Sequence, residues 1–268
     1  MARESSTAGH SQALHAISEL SRDIHRCLSN LHSSRWPDRH AGRKFKARAA
    51  RYAADTNLIE ARHSASIRAA AAEITQCCRD GWEKDPDVLN LWHQLVLTLT
   101  NLSEHPDPSK RVATLIIDKK GNLRAFAANK TPDGLDRHGG HYVKGIRKDF
   151  IVCSERIALA RLLGVKLAKP PKWHRGRAAR TWQVAKLTID IMSAAVAHSD
   201  LLQDSYVLTT TSPCEICAHT LTPFHPRGIL TNHSNGNHFT RWDSILRGTE
   251  HLIANGINIS YLPGLVIN

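Results

Sequence analysis

The sequence has little of what marks unusual classes of chain. Among its 268 residues are only 15 Gly and 11 Pro, which excludes a collagen-like or low-complexity polymer. No apolar run approaches the roughly 18 residues that a membrane span needs. The strongest stretch, 91–102, is broken by His93 and Gln94. The N-terminus, Met-Ala-Arg-Glu-Ser-Ser, leads into polar sequence without an apolar signal core, so a cytoplasmic protein is expected. Six cysteines are too sparse for a disulfide scaffold in a chain this long. Acids are also scarce: 24 Asp+Glu against 36 Lys+Arg leave a formal charge of +12, so the expected partners are anionic. At 41% hydrophobic and 22% charged the chain still holds enough apolar material for a core, which excludes wholesale disorder.

The hydrophobic pattern changes character along the chain. Apolar residues recur at helical spacing at Leu14, Ile17, Leu20, Ile24, Leu28 and Leu31, and Ala is dense from Ala41 to Ala72, so the first 87 residues read as a helical N-terminal extension. Its stretch from Arg39 to Arg51 carries six cations and no acid, either a solvated face or a phosphate-contacting one. Asp-Pro-Asp at 85–87 starts a helix over 88–102. Beyond it the spacing predicts a hairpin (112–117 and 122–128), helices at 152–163 and 178–197, a strand at 206–211, a short helix at 214–221, a strand at 228–231, a helix at 240–254 and a strand at 257–262. This alternation gives an α/β sheet covered by helices on both faces. The helix joining the last two strands fits a parallel pair.

Two motifs carry chemistry. Cys153-Ser154-Glu155 opens a helix after apolar sequence, and Pro213-Cys214-Glu215-Ile216-Cys217 follows a strand. Cysteines at i and i+3 of a helix start can aim both sulfurs at one metal, and Cys153 adds a third soft ligand. Three thiolates fit a tetrahedral Zn2+ with its fourth position open to water, the arrangement of a catalytic site, and Glu155 would stand beside that water as a proton carrier.

Cys153-Ser154-Glu155-Arg156 with Ala158, together with Ser212-Pro213-Cys214, resembles the cytidine deaminase superfamily, over roughly residues 88–262. The loop Asn129-Lys130-Thr131-Pro132-Asp133-Gly134 is similar to that of the deoxycytidylate deaminase branch, which usually has His where this chain has Cys153. About 58 residues separate Glu155 from Pro213, more than the family core needs, and the excess lies in a basic helical insertion at about 165–204. The resemblance implies a three-layer fold with a five-stranded mixed sheet, a zinc-dependent deaminase domain over 88–268, and hydrolysis of a cytosine base to uracil with release of ammonia. It also implies that Asn129 holds the sugar, that Ser154, Ser212 and Pro213 contribute to the substrate pocket, that Glu155 shuttles protons, and that the protein is a homo-oligomer.

Three functions remain open from the sequence. The first is a deaminase of a free cytosine nucleotide or nucleoside. The second is one acting on single-stranded DNA or RNA, and the third a non-catalytic zinc-stabilised nucleic-acid-binding module. The segment 161–186 holds eight cations, no acid, and both Trp173 and Trp182, a composition that can grip a single strand by phosphate contacts and stacking or form a solvated insertion. Lys172, Trp173, Arg175 and Arg177 are its candidate contacts. Lys144, Arg147 and Lys148 could instead meet the phosphate of a mononucleotide. His138 and His141 read as surface or packing residues more readily than as metal ligands, the stretch from His233 to His238 follows a strand and could line the pocket, and Cys77-Cys78 reads as part of a helix.

Overall fold

The computed structural model describes residues 2–32, 42–103, 111–130, 142–143, 146–147, 152–174, 176–232 and 242–262; side-chain surroundings are described for these except 2–7, 30–32, 42–57, 142–147, 176–177, 180 and 242. The N-terminal half opens with α1 (Ala2–His32) and α2 (Gly42–Cys77), and α3 (Pro86–Thr100) follows. The start of α3 is set by Asp85, whose side chain accepts from the Asp87 and Val88 amides while Pro86 fills the first turn. That combination satisfies orphan donors and pre-sets the backbone angle.

Next come β1 (Ala113–Asp118) and β2 (Leu123–Ala128), an antiparallel hairpin. Its turn is closed by the Asp118 carboxylate, which accepts from the amides of Lys120 and Asn122 at 2.8 Å each, and by Gly121 at φ +84°. Two short strands, β3 (Tyr142–Val143) and β4 (Ile146–Arg147), pair only with each other. The remaining order is α4 (Ser154–Leu163), α5 (Gly176–Ala194), β5 (Ser205–Thr209), α6 (Glu215–Leu221), β6 (Gly228–Thr231), α7 (Trp242–Ala254) and β7 (Ile259–Tyr261).

The main sheet has the order β2-β1-β5-β6-β7. β1 is antiparallel to both neighbours, whereas β5, β6 and β7 run parallel. The expected parallel crossover through α7 is therefore present, as is the five-stranded mixed sheet between helical layers.

Alternate residues of each strand feed the two faces. Ala113, Leu115 and Ile117 of β1 join a core with α1, α2 and α3, while Ile116 joins one with α4, α5, α6 and α7. The apolar stripe of α1, Ala13, Ile17, Leu20, Ile24 and Leu28, is buried in the first core. In α5, Val184, Leu187 and Ile191 are buried in the second, so the helix of the insertion forms part of that layer. Among the described residues no helix is long and apolar enough to cross a membrane.

Candidate metal and catalytic site

The site is assembled at one end of the strands by their register. β1 is antiparallel to β5, so Thr114, near the start of one, lies opposite Thr209, at the end of the other, while Ala113 lies opposite Ala128 at the end of β2. The chain leaves β5 at this end toward Cys214 and leaves β2 toward Asn129. An isolated bridge between Lys130 and Val152 delivers the next residue, Cys153, to the same place. In parallel sheets the carboxyl ends of strands are where connections form ligand crevices.

Cys153 is the N-cap of α4 and Cys214 the N-cap of α6, each in an extended conformation, and Cys217 lies in the first turn of α6. The sequence reading had placed both residues inside their helices. The three ligand atoms lie within 4.8 Å of one another, with Cys153 Sγ 3.9 Å from Cys214 Sγ and Cys214 Sγ 3.5 Å from Cys217 Sγ. A disulfide needs about 2.05 Å, and these are free thiols. Tetrahedral coordination with metal–sulfur bonds of about 2.3 Å requires sulfurs about 3.8 Å apart, so the three residues fit zinc. The thiols also crowd one another: contact with Cys153 raises the pKa values of Cys214 and Cys217 well above the ordinary thiol range, and burial adds to this. A bound cation is what allows such a group to ionise together.

Arg156, in the first turn of α4, is buried against the cluster. Burial opposes its charge, but the sulfurs, Cys153 first, hold the guanidinium protonated. Its Nη2 lies 4.0 Å from Cys153 Sγ and its Nη1 donates to Thr188 Oγ1 of α5 at 2.8 Å. Three thiolates around a divalent ion carry a net charge of −1, which this one cation balances.

Glu155 is 4% exposed. Burial, with the nearby Cys153 charge, pushes its carboxyl up to about 7. Its Oε2 accepts from Ser154 Oγ at 3.2 Å, and beneath Ser154 the buried hydroxyl of Thr114 lies 2.8 Å away, followed by Thr209 at 3.3 Å from Thr114. Thr209 Oγ1 donates onward to the Thr211 carbonyl at 3.1 Å. This hydroxyl chain holds the carboxylate at this end of the strands. Glu155, Cys153 and Cys214 open on a pocket of about 20 Å³ that Asn129, Thr211, Ser212 and Ile245 also line. Roughly one water fits such a volume.

The other expected contacts separate into three groups. Asn129 and Ser212 are at the pocket, and buried Pro213 is beside Cys214. Asn129 Oδ1 accepts from Ser103 Oγ at 2.5 Å and from the Val112 amide at 3.0 Å, which fixes its position. Lys172 and Trp173 are exposed on the segment leaving the C-terminal end of α4, the end away from Cys153 in a ten-residue helix about 15 Å long. Trp173 is 80% exposed and begins a row of rings, 6.3 Å to His174 and then 6.2 Å to Trp182. Lys144, Lys148, Arg175, His138, His141, His233 and His238 lie outside the described residues, as do the side chains of Arg147 and Arg177.

Sequence reasoning missed Arg156 as a partner of the sulfurs, the threonines beneath Ser154, and Gly248. A Cβ at Gly248 would stand 2.5 Å from the Pro213 carbonyl oxygen and 2.9 Å from the Cys214 carbonyl carbon, so only glycine lets α7 rest on the cysteine turn. The last two signals depend on tertiary contact. The Arg156 signal was in plain view, because it follows Glu155 directly.

No protein-family model matches the chain, and no curated protein matches it. Among solved structures it is similar to the dCMP deaminase of the cyanophage S-TIM5 in complex with dCMP and dUMP, at 14% identity and a TM-score of 0.39, over 66% of this chain and 97% of that one. The apo form of that enzyme gives 14% and 0.36, over 65% and 96%. RibD of Acinetobacter baumannii gives 14% and 0.37, over 68% of this chain and 35% of that one.

Proposed function

We propose that this protein is a zinc-dependent hydrolytic deaminase that converts a cytosine base to uracil and ammonia, acting on a free nucleotide or nucleoside such as deoxycytidylate or cytidine. The observation that carries the reading is the placement of Glu155, a buried carboxyl group, on the same 20 Å³ pocket as Cys153 and Cys214. A structural thiolate site has no use for a carboxylate there, which weighs against a non-catalytic module. Zinc held by Cys153, Cys214 and Cys217 would supply Lewis acidity that lowers the pKa of a bound water towards about 7.

The rest of the chemistry belongs to the chain. Glu155 accepts the proton of the attacking water at its carboxylate and returns protons to the ring nitrogen and then to the departing amine, so the reaction consumes one water and releases one ammonia. Ser154, anchored on Thr114, holds Glu155 in place. Arg156 keeps the sulfur cluster electrically balanced, while Asn129 and Ser212 line the pocket and Pro213 adjoins Cys214. The zinc-dependent domain spans 88–268 in this reading.

A second substrate class, single-stranded nucleic acid, is favoured by one observation, the exposed Trp173–His174–Trp182 row on the basic insertion. A substrate panel of cytidine, deoxycytidine, their phosphates and single-stranded oligonucleotides, read by mass, separates the two. Glu155→Gln is expected to abolish ammonia release, by a factor of at least about 10², while metal analysis still finds one zinc per chain. Wild-type turnover in that variant would refute the assignment.

A further inference from the structure

We propose a second ligand site, remote from the thiol cluster in chemistry and composition: a cleft of about 280 Å³ that binds a small phosphomonoester. It lies at the β2 edge of the sheet and draws one arginine from each of three elements, Arg68 of α2, Arg124 of β2 and Arg161 of the last turn of α4, with Lys130 beside them. Glu60 is its one lining acid. Four cations against one carboxylate leave a local excess of three positive charges.

Arg124, Arg161 and Lys130 are held by polar partners, while Arg68 is exposed beside them. Arg124 Nη1 donates to the Leu201 carbonyl at 2.6 Å and to Ser205 Oγ at 2.8 Å. Arg161 Nη1 donates to Glu60 Oε1 at 2.5 Å and to the Phe126 carbonyl at 2.6 Å. Lys130 is ion-paired with Glu60. The guanidinium carbons of Arg68 and Arg161 each lie 5.8 Å from the centre of the Phe126 ring, so the ring keeps both groups at the cleft. Among the described residues neither Arg68 nor Arg124 forms an ion pair.

Guanidiniums fixed by backbone acceptors and an aromatic face, with N–H groups left over from their five-donor forks, match the oxygens of a phosphate. Bringing like charges together is unfavourable without a counter-anion, and a doubly charged one suits the excess. The volume equals that of roughly nine waters at about 30 Å³ each, which is more than a lone phosphate fills and suits a phosphomonoester. An anion there would join α2 to β2 and α4, fastening the N-terminal helices to the sheet.

The test is calorimetric titration of the full-length, zinc-loaded protein with glycerol 3-phosphate, and in a parallel arm with a 5′-phosphorylated oligonucleotide. One saturable site for glycerol 3-phosphate is expected, weakened by about tenfold in Arg68→Gln and unchanged in Arg79→Gln, an exposed arginine outside the cleft. Ser64→Glu, which places a carboxylate in the cleft lining, is the second variant and is expected to abolish uptake even if Arg68→Gln does not fold. Absence of saturable binding, wild-type binding in Ser64→Glu, equal weakening in Arg79→Gln, or uptake of the oligonucleotide alone would overturn the proposal. Binding is read without any deamination, so this proposal and the catalytic reading fail separately.

Discussion

Glu60 shows how much a single buried side chain can hold together. It comes from α2 and meets Lys130, just beyond β2, and Arg161 of α4. Burial alone would raise its pKa, but the charges of Lys130 and Arg161 outweigh burial and leave it below the ordinary carboxylate value. A carboxylate depressed in the folded state stabilises the fold above its unfolded pKa, and that contribution disappears as pH falls through the folded value. Glu60→Gln should therefore cost about 3 kcal/mol at neutral pH, because it leaves buried Lys130 without its counter-charge. The gap from the wild type should narrow at acid pH, once the pH has fallen through the folded value and the wild-type carboxylate is protonated too. Urea unfolding at both pH values measures this, and an equal gap at both would show that Glu60 acts through packing alone. Nothing in the sequence pointed to this residue, since its partners lie 70 and 101 positions away. Cys153, Glu155, Cys214 and Cys217 were legible because the chemistry that needs them fixes their spacing within a few residues.

The elements that carry the site are short, and their placement relies on close approach. α6 has seven residues, too few to hold Cys214 and Cys217 by helix propensity, so α7 packed across its start does so instead. Gly248→Ala puts a methyl group into the backbone of residues 213–215, and a clash with backbone has no flexible side chain to relieve it. We expect a loss of about 1–3 kcal/mol, together with weaker zinc retention under chelator challenge. Zinc retention and a melting temperature equal to those of the wild type would show that α7 does not brace the turn. At this scale the sequence was informative about order and type: the hairpin, the α/β alternation and the parallel β6–β7 crossover follow from apolar period and connection length. Boundaries were less legible, because residues such as Cys153 and Cys214 carry helix-start signals and yet sit just outside the helix as caps. The basic insertion was legible as charge. Its apolar face, Val184, Leu187 and Ile191, emerges as part of the second core only once α5 is seen against α4.

Across the whole molecule, the N-terminal helices and the sheet share one core. Leu91, Trp92, Leu95 and Leu99 of α3 are fully buried, in a cluster that also contains Ile17, Leu20 and Ile24 of α1 and Ile67 and Ile74 of α2. The division expected at residue 87 falls between two helical stretches, since the apolar spacing stays helical through α3 and changes only at the β1–β2 hairpin, and such a boundary in sequence does not make the two parts fold separately. Packing makes the further demand that each apolar face be covered, and α1 and α2 cover α3 and the β2 edge. Deletion of residues 1–77 should therefore uncover α3 and the β2 edge and expose a contiguous apolar surface of the kind that drives aggregation. The shortened chain is expected to be insoluble or to elute as aggregate in size-exclusion chromatography, and to lose zinc although none of Cys153, Cys214 and Cys217 has been removed. A monodisperse, zinc-loaded 78–268 fragment would show instead that the helices are an appended module, and would locate the stability of the metal site entirely in the layer formed by α4, α5, α6 and α7.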